Sequence, residues 1–245
     1  MPVLLTSLLV GMLGGFLINY LADCLPHQRR PTKPLCNHCG KSLSFTLYLT
    51  LQQCSNCNLR RRWRYVFVYV FSILMAYWAQ SYPVRLNFWL SWLVFVIFGV
   101  ITVIDIEYRV VLFETVLVGG SIFLAIGIAR HGFFSTLLGG ALGFLIMFGL
   151  YWLGRLVLKV RRKASSLEEE ALGFGDVNLF AILGLLLGFP AIFAALWIAI
   201  FSAGLFSLVL VARMMLRKQY HSDMAIPYAP FLIFGAFTLL YLLRP

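Results

Sequence analysis

Along this chain the apolar residues do not alternate with polar ones in short periods. They fill runs of about 20 positions, the length of helix that crosses a hydrocarbon layer roughly 30 Å thick. The runs predict about eight spans, at 3–22, 65–79, 86–104, 110–129, 133–158, 177–189, 191–211 and 226–243. The second and sixth are short. Only Gly188, Phe189 and Pro190 part the sixth from the seventh, which leaves either a tight turn or one kinked element there. Polar residues collect between the runs, and the largest polar stretch is 23–64. The pattern therefore divides the chain into a first membrane helix over 1–22, a loop over 23–64 and a membrane domain over 65–245. The expected fold class is an all-α polytopic membrane protein.

Composition agrees and excludes a soluble enzyme, because 61% of the 245 residues are hydrophobic and only 12% are charged. The net charge of +11 would suggest nucleic acid in a soluble chain. Here it reports orientation instead, since cytosolic loops collect Lys and Arg. With the N-terminus outside, only Arg85, Arg130 and Arg244 of the 20 basic residues fall on the outer face. Merging any neighbouring pair of spans would place basic loops on both faces. The first run resembles a signal peptide in length, but it lacks a basic start and leads into a basic loop, so it reads as a retained helix. Gly11 and Gly15, Gly139 and Gly143, and Gly184 and Gly188 place small residues one turn apart, where helix backbones approach closely in lipid.

The 23–64 loop carries Cys36, Cys39, Cys54 and Cys57 as two CxxC pairs with 14 residues between them. Each CxxC turn aims two thiolates at one point, and two turns complete a closed tetrahedral zinc site that is structural, not catalytic. Disulfides are the rival, disfavoured in a loop that the charge rule places in the reducing cytosol. Such an ion would fold a loop too short and polar to build its own core. Cys24, His27 and His38 read as ordinary residues of the helix end and loop. Arg60, Arg61, Arg62 and Arg64 read as an anchor to anionic headgroups, with membrane lipid as the partner and no nucleic acid.

Only nine carboxylates are present. Glu168, Glu169 and Glu170 follow Ser166 in a polar loop and read as a solvated helix start. Asp23 and Asp223 sit at loop edges. Asp105 closes the third span, and Asp176 opens the sixth directly after Gly173, Phe174 and Gly175, so both fall at the cytosolic membrane surface. Pairing with Arg109 is the plainer reading of Asp105. Ionisable groups at such depth nevertheless mark function, and two carboxylates brought close cannot both ionise easily. One then holds a proton while the other takes one from water, which is the arrangement of an aspartyl protease. A helix N-terminus at Asp176 favours it as the ionised member, and the glycines before it leave room for a substrate backbone. Two other classes use the same acids differently: an ion-coupled transporter in which Asp105 and Asp176 bind cations or relay protons, and a catalytically silent scaffold whose zinc loop recruits partners.

Several motifs occur together in a telling order. They are Gly15 to Tyr20 with Leu25 and Pro26, the paired CxxC loop, Ile104 to Arg109, Gly173 to Val177 with Gly184 beyond, and Ile226 to Phe231. In this order and at these depths the chain resembles the type IV prepilin peptidases, bacterial members of the GxGD intramembrane aspartyl proteases. The resemblance implies that Asp105 and Asp176 are the catalytic pair and that Gly173, Gly175, Pro227 and Pro230 contact substrate. It implies removal of the N-terminal leader from prepilins or pseudopilins on the cytosolic side of the bacterial inner membrane. Many such proteins then methylate the new N-terminus with S-adenosylmethionine. Where the family usually carries Leu-Pro-Asp or Ile-Pro-Asn after the first aspartate, this chain reads Val111, Leu112, Phe113 and Glu114. Asp23 is the only carboxylate before Asp105, and Arg64 to Phe67 replace a segment that has a glutamate in methylating members. The expectation is a peptidase whose methylation is weak or absent, with S-adenosylmethionine a cofactor only if methylation is retained.

Overall fold

A computed structural model of the chain describes residues 2–34, 36, 39–42, 56–57, 63–82, 86–161, 173–216 and 227–243. It divides into two compact units, Met1–Tyr108 and Arg109–Pro245.

Among the described residues the first unit has helices α1 (Pro2–Gln28), α2 (Trp63–Ser81) and α3 (Phe88–Tyr108). Helix α1 runs past its predicted end at Ala22, because the residues beyond it are buried instead of entering a polar loop: Asp23, Cys24 and Leu25 all lie in the interior. It stops at Arg29, which turns left-handed at φ 52. The Arg29 backbone N–H still donates to the Leu25 carbonyl at 2.9 Å. His27, read from sequence as a loop residue, is thus the last turn of a helix.

Close packing in this unit follows the small residues. A Cβ on Gly15 would meet the Tyr69 backbone at 3.0 Å, and one on Gly11 would meet that of Ile73 at 2.5 Å, so α1 lies directly on α2. Gly99 of α3 receives the Ile18 side chain in the same way. Polar groups tie the other end, with Ser7 Oγ bonded to Gln80 Oε1 at 2.7 Å and Trp92 Nε1 donating to the Val10 carbonyl at 3.1 Å. Such bonds hold helices where no hydrophobic force between them operates.

The second unit begins with α4 (Phe113–Arg161), whose continuity is broken at Gly132 by φ 79 and ψ 168. Its two limbs correspond to the two spans predicted on either side of that glycine. The helix starts at Phe113 without a proline, and Thr115 Oγ1 donates back to the Leu112 carbonyl at 2.7 Å. Next come α5 (Phe174–Leu187), α6 (Ala191–Leu216) and α7 (Ala229–Phe237), the last running on as a π-helical turn, Thr238–Leu242. Between α5 and α6 the alternative of a tight turn is realised. Gly188 takes φ 72, and the Phe189 N–H donates to the Ser135 carbonyl at 3.0 Å.

Helix α5 is apolar on all sides and buried on most of them, as an interior helix must be. It lies in a groove of glycines on α4. A Cβ on Gly139 would stand 2.8 Å from the Gly188 backbone, and one on Gly143 would stand 2.8 Å from the Phe180 carbonyl oxygen. Helix α6, by contrast, presents Trp197, Phe201, Leu205 and Leu208 outward, a surface suited to hydrocarbon and not to water. Among the described residues α1, α3, α4 and α6 are long and apolar enough to cross a membrane, with α5 and α7 as shorter apolar helices. The protein is an all-α polytopic membrane protein.

Candidate active site

Asp105 lies in the last turns of α3, in the first unit, and its residue is only 4% exposed. Asp176 lies in the first turn of α5, in the second unit, at 9% exposure. Both acids are thus buried at helix ends, where the backbone offers groups that a helix interior does not. Gly173 caps α5 with an extended backbone, and its carbonyl accepts the Asp176 N–H at 3.1 Å. The Asp176 carboxylate turns back over this cap, so that a Cβ on Gly173 would lie 3.7 Å from Oδ2. The helix N-terminus expected at Asp176 is therefore present, and its exposed N–H end is a positive one.

Gly175 has a different setting. A Cβ there would meet Val111 Cβ at 2.9 Å and the Val111 carbonyl oxygen at 3.1 Å, so the chain's own connector to α4 occupies that side. This proximity was not legible in the sequence, because Val111 and Gly175 lie 64 positions apart and no local motif reports a contact over that distance. Pro230 stands in the first turn of α7, where a missing N–H is harmless, and Pro227 stands just before it.

The cysteine loop is described in part. Cys36, Cys39 and Cys57 bring their sulfurs within 4.8 Å of one another, while Cys54 and His38 lie outside the described residues. The first CxxC turn is closed by the Gly40 N–H on the Cys36 carbonyl and the Cys36 N–H on the Lys41 carbonyl, both at 2.9 Å. Gly40 takes φ 68, the left-handed conformation in which a glycine is least strained. Cys36 Sγ and Cys57 Sγ stand 3.6 Å apart. That is far beyond a disulfide bond of about 2.05 Å. It is close to the roughly 3.8 Å edge of a tetrahedron whose zinc–sulfur bonds are about 2.3 Å. The donor set thus fits a thiolate-bound metal. Metal analysis of the purified protein should find about one zinc per chain, and Cys36→Ser or Cys57→Ser should lose most of it.

One functional cluster was misread from the sequence. Arg64, assigned there to lipid headgroups with its neighbours, points inward with a side chain 13% exposed. Its Nη2 donates to Asp23 Oδ1 at 2.6 Å, and its Nη1 pairs with Glu107 Oε2. Tyr65 OH donates to the second Asp23 oxygen at 2.8 Å. Asp23 is therefore no loop-edge residue but a buried acid held at both oxygens. Burial works against the Arg64 charge, but Asp23 first, then Tyr65 and Glu107, outweigh it and hold the guanidinium above its ordinary value. Tyr65 also packs against Cys36, Cys39 and Cys57, so the cysteine turns rest on the residue that fixes Asp23. A signal was available: an acid at the edge of an apolar helix needs a partner, and few cations border such helices. Arg60, Arg61 and Arg62, like Ser166, Glu168, Glu169, Glu170 and Asp223, lie outside the described residues.

Comparison with known proteins bears on this arrangement. Residues 92–208 match the model of the type IV leader peptidase family. A prepilin leader peptidase/N-methyltransferase of Aeromonas hydrophila is 26% identical over 232 residues, 89% of this chain and 71% of that protein. A protein of the same description from Aeromonas salmonicida strain A449 is 29% identical over 108 residues, 44% of this chain and 33% of its own length. No solved structure gives a significant match. Residues 92–208, which contain both buried aspartates, are thus similar to the type IV leader peptidase family, and this similarity supports a peptidase.

Proposed function

We propose that this protein is an aspartyl endopeptidase of the bacterial inner membrane, in which Asp105 and Asp176 together remove the N-terminal leader of type IV prepilins or pseudopilins on the cytosolic side. The observation that carries the reading is that two carboxylates, scarce in this chain, are buried at helix ends within the segment matched to the family. A third such acid, Asp23, is already held at both oxygens by Arg64 and Tyr65. In this reading the positive end of α5 favours charge on Asp176, and Asp105, near the negative end of α3, carries the proton. Asp176 takes a proton from water as its oxygen attacks the scissile carbonyl, while Asp105 donates to the carbonyl oxygen. Collapse of the tetrahedral species breaks the C–N bond: the leaving amine takes up the proton held by Asp176, and the re-forming carbonyl returns a proton to Asp105. The glycines at 173 and 175 and the prolines at 227 and 230 contribute to the substrate channel in this reading. In this reading the N-terminus is outside, which the distribution of basic residues supports.

Cys36, Cys39, Cys54 and Cys57 hold a structural zinc ion in this proposal. It supplies folding free energy to the loop and no chemistry to the cleavage. Methylation is weak or absent, because among the acids that precede Asp105 there is only Asp23, and Arg64 and Tyr65 occupy both of its oxygens. The peptidase reading is tested by incubating the solubilised protein with a prepilin and following leader loss on a gel. Mass spectrometry of the mature product tests the rest. With S-adenosylmethionine present, the product should keep the mass of the unmodified polypeptide, and a product heavier by one methyl group would contradict this.

A further inference from the structure

The Arg64 cluster lies beside the proposed chemistry without belonging to it. It joins the ends of three helices, with Asp23 on α1, Arg64 at the start of α2 and Glu107 in the last turn of α3. Glu107 follows Asp105 by two residues, which turns it ~200° around the helix, so the two acids stand on nearly opposite faces of α3. Holding Glu107 therefore sets the rotation of the turn that carries Asp105. Helix ends fray when nothing holds them, and α3 ends at once after this turn, with Arg109 left-handed at φ 55. His27 adds a second hold, its ring meeting that of Tyr108 edge-on at 5.7 Å between centroids.

Stability alone does not account for this construction. Two carboxylates share one guanidinium, all largely out of water, with side chains 13% exposed at Arg64, 1% at Asp23 and 16% at Glu107. Apolar residues of similar volume would join three helices as well or better, since burying charges incurs desolvation that pairing only partly offsets. What the guanidinium fork adds is direction: it bonds two carboxylates at fixed angles.

We propose that Arg64 and Glu107 are positioning residues, which lock the last turn of α3 so that Asp105 is presented in one orientation. This inference rests on the reading of Asp105 as a member of the catalytic pair. A displacement of about 1 Å at a reacting group can reduce turnover by ~10²-fold, so Glu107→Ala should lower kcat by ~10- to 100-fold. KM should stay within about twofold, because the residue does not touch substrate. Glu107→Gln should recover most of the loss, since its amide oxygen still accepts from Arg64. Arg64→Lys should fall with Glu107→Ala, because an ammonium does not bridge both acids as the fork does.

The experiment measures kcat and KM for leader cleavage per folded molecule, with thermal unfolding in the same detergent, for the parent, these variants and Asp105→Asn. The proposal predicts a kcat loss that exceeds any loss of folded protein and is restored in Glu107→Gln. Parental kcat in Glu107→Ala, or a loss that merely tracks the folded fraction, overturns it. If Glu107→Ala does not fold, the contrast between Glu107→Gln and Arg64→Lys decides, and equal kcat in these two overturns the proposal. With Asp105→Asn inactive, such a failure touches the positioning role alone. If Asp105→Asn cuts like the parent, the catalytic reading fails and the positioning role falls with it.

Discussion

Gly184→Leu should abolish accumulation of folded protein, because the atoms nearest to a side chain there are all backbone of the facing helix. A Cβ at this position would overlap the Gly139 carbonyl oxygen and stand 2.7 Å from its carbon and 3.0 Å from Gly140 Cα. These are backbone atoms of the facing helix and do not rotate aside. Insertion of a methylene into an already packed interior typically costs about 1–3 kcal/mol, and a leucine here adds several carbons against an unyielding wall. Gly184→Ala is the graded case and should lower the unfolding temperature while leaving some folded protein. Gly149 and Gly204 supply the control, since a Cβ at either meets nothing within 4 Å. Alanine at those positions should be neutral or stabilising, by up to about 1 kcal/mol from helix propensity. Size-exclusion chromatography and thermal unfolding in detergent read all four. A folded Gly184→Leu of parental stability would show that α5 does not need its glycine groove.

What the sequence disclosed and what it withheld have separate physical origins. The all-α membrane class was legible because membrane thickness fixes run length, and even the break in α4 was legible, since the apolar runs lapse around Arg130, His131 and Gly132. Ends were harder. Helix α1 continues to Gln28 because Asp23 is neutralised by a residue 41 positions away, and hydropathy along a window carries no trace of that partner. The same distance hid the role of Arg64, which stands next to three arginines and so looked like one more lipid anchor. The gathering of Cys36, Cys39 and Cys57 was visible because CxxC is local chemistry: the bite of two thiolates is set within four residues. The setting of Gly175 was not, because its neighbour Val111 belongs to another segment. The motif announced a glycine but could not say what stands against it.

The central claim is that Asp105 and Asp176 are one catalytic unit. Each is buried, and each sits at a helix end within the residues that match the leader peptidase family. Asparagine replaces a carboxylate with a group of the same size that neither takes up a proton from water nor delivers one, so it removes the chemistry while keeping the packing. Since each acid works only through the other, the single losses should not add: Asp105→Asn, Asp176→Asn and the double variant should be equally inactive, as is found where residues act as a unit. The loss should be on the order of 10⁴-fold, below detection on a gel. The deciding measurement is the rate of leader removal from a prepilin by the parent and by these three variants, each shown to be folded by its thermal unfolding. The account predicts cleavage by the parent and none by any variant. Cleavage at the parental rate by either single variant would contradict it.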